Sequence, residues 1–129
     1  MMRNRRGTQA IELALTIPVA LSLIFGIVDF SWLAVHNQAM NAAVAQGSRT
    51  GAYTPLEGDP GGAAVASAEA RWAEFGLGNT PDVTATLVTE NGVQLMSVTA
   101  KLHYDSLTGF IPDPGPLTTT MRLRMEEQP

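Results

Sequence analysis

Apolar and polar positions along this chain fall into three regimes, each predicting a different kind of element. Residues 10–35 are almost continuously apolar, with Glu12 near the start, Asp29 near the end and no charge over residues 13–28. These 26 residues would form a helix of roughly 39 Å at about 1.5 Å per residue. A hydrocarbon layer is about 30 Å thick, so the segment is long enough to span it. Trp32 falls toward its far end, where interfacial aromatics concentrate. Residues 36–50 are alanine-rich and polar without proline, and Leu33, Met40 and Val44 recur at helical spacing. The helix is therefore expected to continue, with a stripe on which the remaining chain packs and Gly47 or Gly51 as its stop. That stripe predicts a soluble part starting near His36. Residues 53–62 read as a loop from their glycine and proline density.

Asp59-Pro60 predicts the start of a second helix, with aspartate as cap and proline in the first turn. Val65, Ala68, Trp72 and Phe75 share one face, while Glu69, Arg71 and Glu74 lie off it. Gly76 or Gly78 is the expected end, and Trp72 belongs to the core. The period then changes to two. Val83, Ala85 and Leu87 alternate with threonines, and Asn91-Gly92 is a two-residue hairpin signal. Met96, Val98, Ala100, Leu102 and Tyr104 make a second alternating strand. Residues 105–116, with Pro112, Pro114 and Pro116, form a loop. Leu117, Thr119, Met121, Leu123 and Met125 make a third strand, with Arg122 and Arg124 on its open face. The predicted fold is α+β: a long N-terminal helix, a second short helix and a three-stranded antiparallel sheet covered by the helices.

Charge sets an orientation. Arg3, Arg5 and Arg6 precede the apolar run, and no further basic residue follows until Arg49. The positive-inside rule keeps this N-terminus cytoplasmic and sends the rest across the membrane. The 129 residues suit one small domain plus a membrane segment. The formal net charge is −4, and losing residues 1–7 would remove three of the eight basic residues and leave −7. Such an acidic body has no patch to neutralise phosphates, so nucleic acid is not an expected partner. The absence of cysteine excludes disulfides, iron–sulfur clusters and cysteine-based zinc sites, and is silent on compartment. His36 and His103 sit on different predicted elements without metal-ligand spacing, and His103 reads as an exposed strand residue. Gly61-Gly62 reads as a turn; no phosphate loop, nucleophile elbow or dinucleotide fingerprint occurs. No catalytic, cofactor-binding or metal residue and no small-molecule substrate is indicated.

The seam Arg5-Arg6-Gly7-Thr8-Gln9-Ala10-Ile11-Glu12 carries the most specific chemistry. A carboxylate inside hydrocarbon is costly and marks function by default; the bland alternative is Glu12 snorkelling to cytoplasmic headgroups. A cleaved secretory signal would have a shorter apolar region, about 7–15 residues, and a small-residue exit. Here Asp29, Trp32 and His36 stand at the exit instead. An uncleaved signal anchor, serving a membrane-anchored periplasmic binding or structural module unrelated to pili, explains the hydrophobicity and the arginines. It does not explain Gly7 followed five residues later by Glu12.

A basic leader, a glycine and that glutamate resemble the processing site of type IV prepilins. The following residues resemble the TadE-like pseudopilins of the Flp/Tad pilus machinery. Ile11-Glu12-Leu13-Ala14-Leu15 leading to Ile17-Pro18-Val19 is similar to the family's opening. Phe25-Gly26-Ile27-Val28-Asp29-Phe30 resembles its glycine–hydrophobic–hydrophobic–acid–phenylalanine element. Asn41-Ala42-Ala43 and Gln46-Gly47-Ser48-Arg49 resemble its helix end, except that Ala45 and Gln46 replace the usual arginine and glutamate.

The resemblance implies a minor pilin-like component of pilus assembly, not an enzyme, cut by a prepilin peptidase after Gly7 to expose the Thr8 ammonium. It implies that Glu12 neutralises a neighbouring subunit's ammonium, so that two charges in hydrocarbon offset each other. Residues 1–7 would then be a leader, 8–35 the transmembrane segment and 36–129 a periplasmic domain of a bacterial inner-membrane protein, with passage into the extracellular pilus left open. The implied partners are the peptidase, other pilin or pseudopilin subunits and the Tad inner-membrane machinery. Two features carry alternatives. Pro18 is either a harmless kink or a flexible point for leaving the bilayer. Asp29 either faces a partner helix or marks the periplasmic exit.

Overall fold

One helix dominates the architecture. A computed structural model describes residues 5–125, with side chains from Gly7 onward. Helix α1 runs unbroken over Arg5–Tyr53, 49 residues or about 74 Å. It passes through Pro18 without interruption. It also passes through Gly47 and Gly51, which the sequence suggested as stops. Both glycines serve instead as points of close approach. A Cβ on Gly47 would lie 2.7 Å from the Ala64 carbonyl oxygen and 2.9 Å from the Ala68 Cβ; one on Gly51 would lie 2.8 Å from the Ala64 Cβ and 2.9 Å from Met96.

The short loop after α1 contains a 3₁₀ turn at Leu56–Gly58, and helix α2 spans Pro60–Ala73. Asp59 caps α2 as expected, its carboxylate accepting from the Gly62 N–H at 3.0 Å. Pro60, Ala64, Ala68 and Trp72 are its buried residues, spaced by four. Pro60, Ala64 and Ala68 lie against Gly47 and Gly51 of α1, and Ala39 and Ala43, on the same stripe as Gly47, are buried in the same core. Small residues on both helices let the backbones approach closely, and Thr50 and Ser67 hydroxyls bridge them at 2.9 Å. Helix α2 ends at Ala73, short of Gly76, so Phe75 lies outside the helix, partly exposed beside the Arg71 guanidinium.

Strands β1 (Asp82–Glu90), β2 (Val93–Leu102) and β3 (Leu117–Arg124) form an antiparallel sheet in the order β1-β2-β3. Asn91 and Gly92 both adopt positive φ, 53° and 79°, in the tight β1–β2 hairpin. One sheet face meets the helices: Val83, Met96, Val98, Ala100, Leu102 and Met125 join Met40, Val44 and Trp72 in the core. The opposite face is polar, with Thr84, Thr99 and Thr120 in one row across the strands. The domain is thus a two-layer α+β structure built around the C-terminal half of α1.

Candidate functional site

The Gly7–Thr8 seam lies near the beginning of α1, with both residues exposed. A Cβ added to Gly7 would meet nothing within 4 Å. Glu12 is exposed four residues beyond Thr8, a separation that puts the two on the same helix face. Its carboxylate has no hydrogen-bond or ion-pair partner among the described residues. Of the three N-terminal arginines, Arg3 lies outside the described residues, and Arg5 and Arg6 are described only as backbone within α1.

From the seam to Val28 the helix is exposed apart from Ser22 and Gly26, which are partly covered. Its most apolar stretch, long enough to cross a membrane, is not buried within the fold. Its hydroxyls are satisfied locally: Thr16 donates to the Glu12 carbonyl at 2.7 Å and Ser22 to the Pro18 carbonyl at 2.8 Å. Such back-bonding suits apolar surroundings, where an unpaired donor is costly.

Asp29 ends the bare stretch. Its residue is fully buried, with 0% exposure. It neither faces away toward another helix nor opens to solvent. Instead it fastens the loop between β2 and β3. The Thr108 N–H donates to Oδ1 at 2.8 Å. The Thr108 hydroxyl, the Phe110 N–H and the Ile111 N–H donate to Oδ2 at 2.7, 3.0 and 3.2 Å. Tyr104 adds a bond from its hydroxyl to the Asp29 carbonyl at 3.1 Å. Burial, and then the nearby Asp29 charge, push the Tyr104 phenol above the ordinary tyrosine range, which keeps it a donor. Phe110 lies against Gly26, where an added Cβ would sit 3.7 Å from its ring.

Above this clasp His36 is buried in an aromatic cluster. Its ring centroid lies 4.7 Å from Trp32, 5.6 Å from Tyr104 and 6.2 Å from Trp72. Its Nδ1 is 2.9 Å from the Trp32 carbonyl oxygen, which only accepts, so Nδ1 carries a proton. His103 is exposed, as expected, but lies just past the end of β2 rather than in the strand, near Asp105. Among the described residues no cluster of histidine, aspartate or glutamate is arranged to hold a metal ion. The clasp and the aromatic cluster escaped the sequence reading, although a signal existed. Asp29, His36, Met40, Ala43 and Gly47 fall on one face at helical period, so Asp29 sits on the same stripe as the core.

Residues 7–49, one third of the chain, match the TadE-like protein family. No curated protein and no solved structure matches the chain. The matched region holds the seam, the bare apolar stretch, Asp29, His36 and most of the core face of α1. The chain thus carries a TadE-like segment over residues 7–49.

Proposed function

We propose that this TadE-like chain is a minor, pseudopilin-type component needed for assembly of a Flp/Tad-type adhesive pilus. It is anchored in the bacterial inner membrane by α1 and cut by a prepilin peptidase between Gly7 and Thr8. The observation that carries this reading is the open space around Gly7. Glycine within a helix costs about 1 kcal/mol relative to alanine, and among the described residues no neighbour or turn accounts for it at this position. A protease that must bend and closely approach the chain does.

Cleavage leaves the Thr8 ammonium one helical turn from Glu12. In a filament the carboxylate of one copy neutralises the ammonium of the next, and the bare helix face between them packs against other subunits. The leader arginines hold the N-terminus in the cytoplasm, so the α+β domain lies in the periplasm. The seat of the β2–β3 loop on Gly26 and Asp29 favours a hydrocarbon-spanning part of residues 10–28. At about 28 Å it is close to the thickness of a bilayer core.

Co-expression with a cognate prepilin peptidase should yield a mature chain beginning at Thr8, read by intact mass. Gly7→Ala should slow or block the cut while leaving the fold intact. Glu12→Leu should insert and be cut normally while pili are lost. A full-length chain persisting beside an active peptidase would overturn the assignment and favour an uncleaved anchor. Normal piliation with Glu12→Leu would return Glu12 to a snorkelling carboxylate.

A further inference from the structure

The tip of the β2–β3 loop is apolar where a solvent loop is ordinarily polar. No charged residue lies between Asp105 and Asp113. Leu107 and Phe110 are exposed by 59% and 51%. Phe110 lies against Gly26 and the tip is tied to Asp29, and the residues that follow each of these on α1, Ile27 and Phe30, are exposed, so tip and helix present apolar side chains at one level. Backbone polar groups are the usual obstacle to placing a loop against lipid. Here three amides of the tip, from Thr108, Phe110 and Ile111, are all bound by the Asp29 carboxylate, and that charge is met by four donors. Hydrogen bonds turn inward and hydrocarbon turns outward.

We infer that the loop tip bearing Leu107 and Phe110 is a second membrane contact, seated in the interface of the leaflet from which α1 emerges. The inference rests on the reading of α1 as a membrane span. Its occupant is lipid, because the patch continues the bare surface of α1 at the end of a stretch matching one bilayer core. The loop then fixes the tilt of the domain against the membrane: α1 supplies one anchor point and the tip a second beside it.

The chain has no cysteine, so single-cysteine variants of the full chain can each carry one polarity-sensitive fluorophore. Leu107→Cys reports on the tip, Val19→Cys on the middle of the span and Thr120→Cys on the outer sheet face. Each is reconstituted in vesicles of phosphatidylcholine and phosphatidylglycerol. Lipids brominated near the headgroup should quench the label at 107, and aqueous iodide should not. The label at 120 should show the reverse, and the label at 19 should respond to lipids brominated deep in the chain. Phe110→Cys repeats the measurement from a neighbouring side chain should a label at 107 disturb the fold. Labels at 107 and 110 that iodide reaches as readily as 120 would overturn the inference while leaving the span intact. Labels that neither quencher reaches would overturn it in favour of a protein cover. An iodide-accessible label at 19 would instead remove the span, and the inference with it.

Discussion

Asp29 takes four donors on two oxygens, and the carboxylate form is required because every group facing it donates. An asparagine at this position must aim its NH₂ either at the Thr108 N–H or at the three donors on the other side. Asp29→Asn should therefore destabilise almost as much as Asp29→Ala, despite its matching size. Either variant should lower the melting midpoint by several degrees. Amides 108, 110 and 111 should lose protection from hydrogen exchange, while those at the centre of β2 retain it. Unchanged protection in Asp29→Asn would mean that the clasp does not hold the loop. The acid's place on the core stripe was legible from its spacing to His36 and Met40. Its partners were not: they lie 79 to 82 residues away in an irregular loop, and such a pairing leaves no period in the sequence.

At the scale of elements, local chemistry carried most of the information. Asp59-Pro60 starts α2, Asn91-Gly92 turns the hairpin, and the alternation from Met96 to Tyr104 places every second side chain in the core. Glycine was ambiguous, because one residue type serves both as a helix stop and as a contact between helices. Gly47 and Gly51 read as stops, yet the fold uses their missing side chains to seat α2. Gly47→Ala tests which effect wins. Alanine favours the helix by up to about 1 kcal/mol, but its Cβ meets backbone, which cannot swing aside, and overpacking costs about 1–3 kcal/mol. The net expectation is a loss of about 1–2 kcal/mol in chemical denaturation, with Gly51→Ala behaving alike. Gly7→Ala, in open space, serves as the control without a clash and should be neutral to slightly stabilising. A stabilised Gly47→Ala would show that the two helices separate at little cost.

For the molecule as a whole, the change of period along the chain was enough to place two helices on one face of a three-stranded sheet. The boundary between the anchor and the domain was not legible. The stripe of Leu33, Met40 and Val44 suggested that a domain cut near His36 would lose only its first apolar contact. The structure ties the domain further down the helix. Asp29 and the Trp32 carbonyl are used by the β2–β3 loop and by His36, and Trp32 covers one edge of the aromatic cluster. A fragment of residues 36–129 should therefore fold around Met40, Val44 and Met96 but leave residues 105–116 unfastened. A fragment of residues 26–129 should keep the loop closed, at the cost of exposing Ile27 and Phe30. Compared in the same mild detergent, the shorter fragment should melt at the lower temperature and be cut first within residues 105–116 under limited proteolysis. Equal melting and equal resistance of that loop in both fragments would mean that residues 26–35 belong to the anchor alone. The predicted difference would mean that the domain reaches down the helix to the end of its bare apolar stretch.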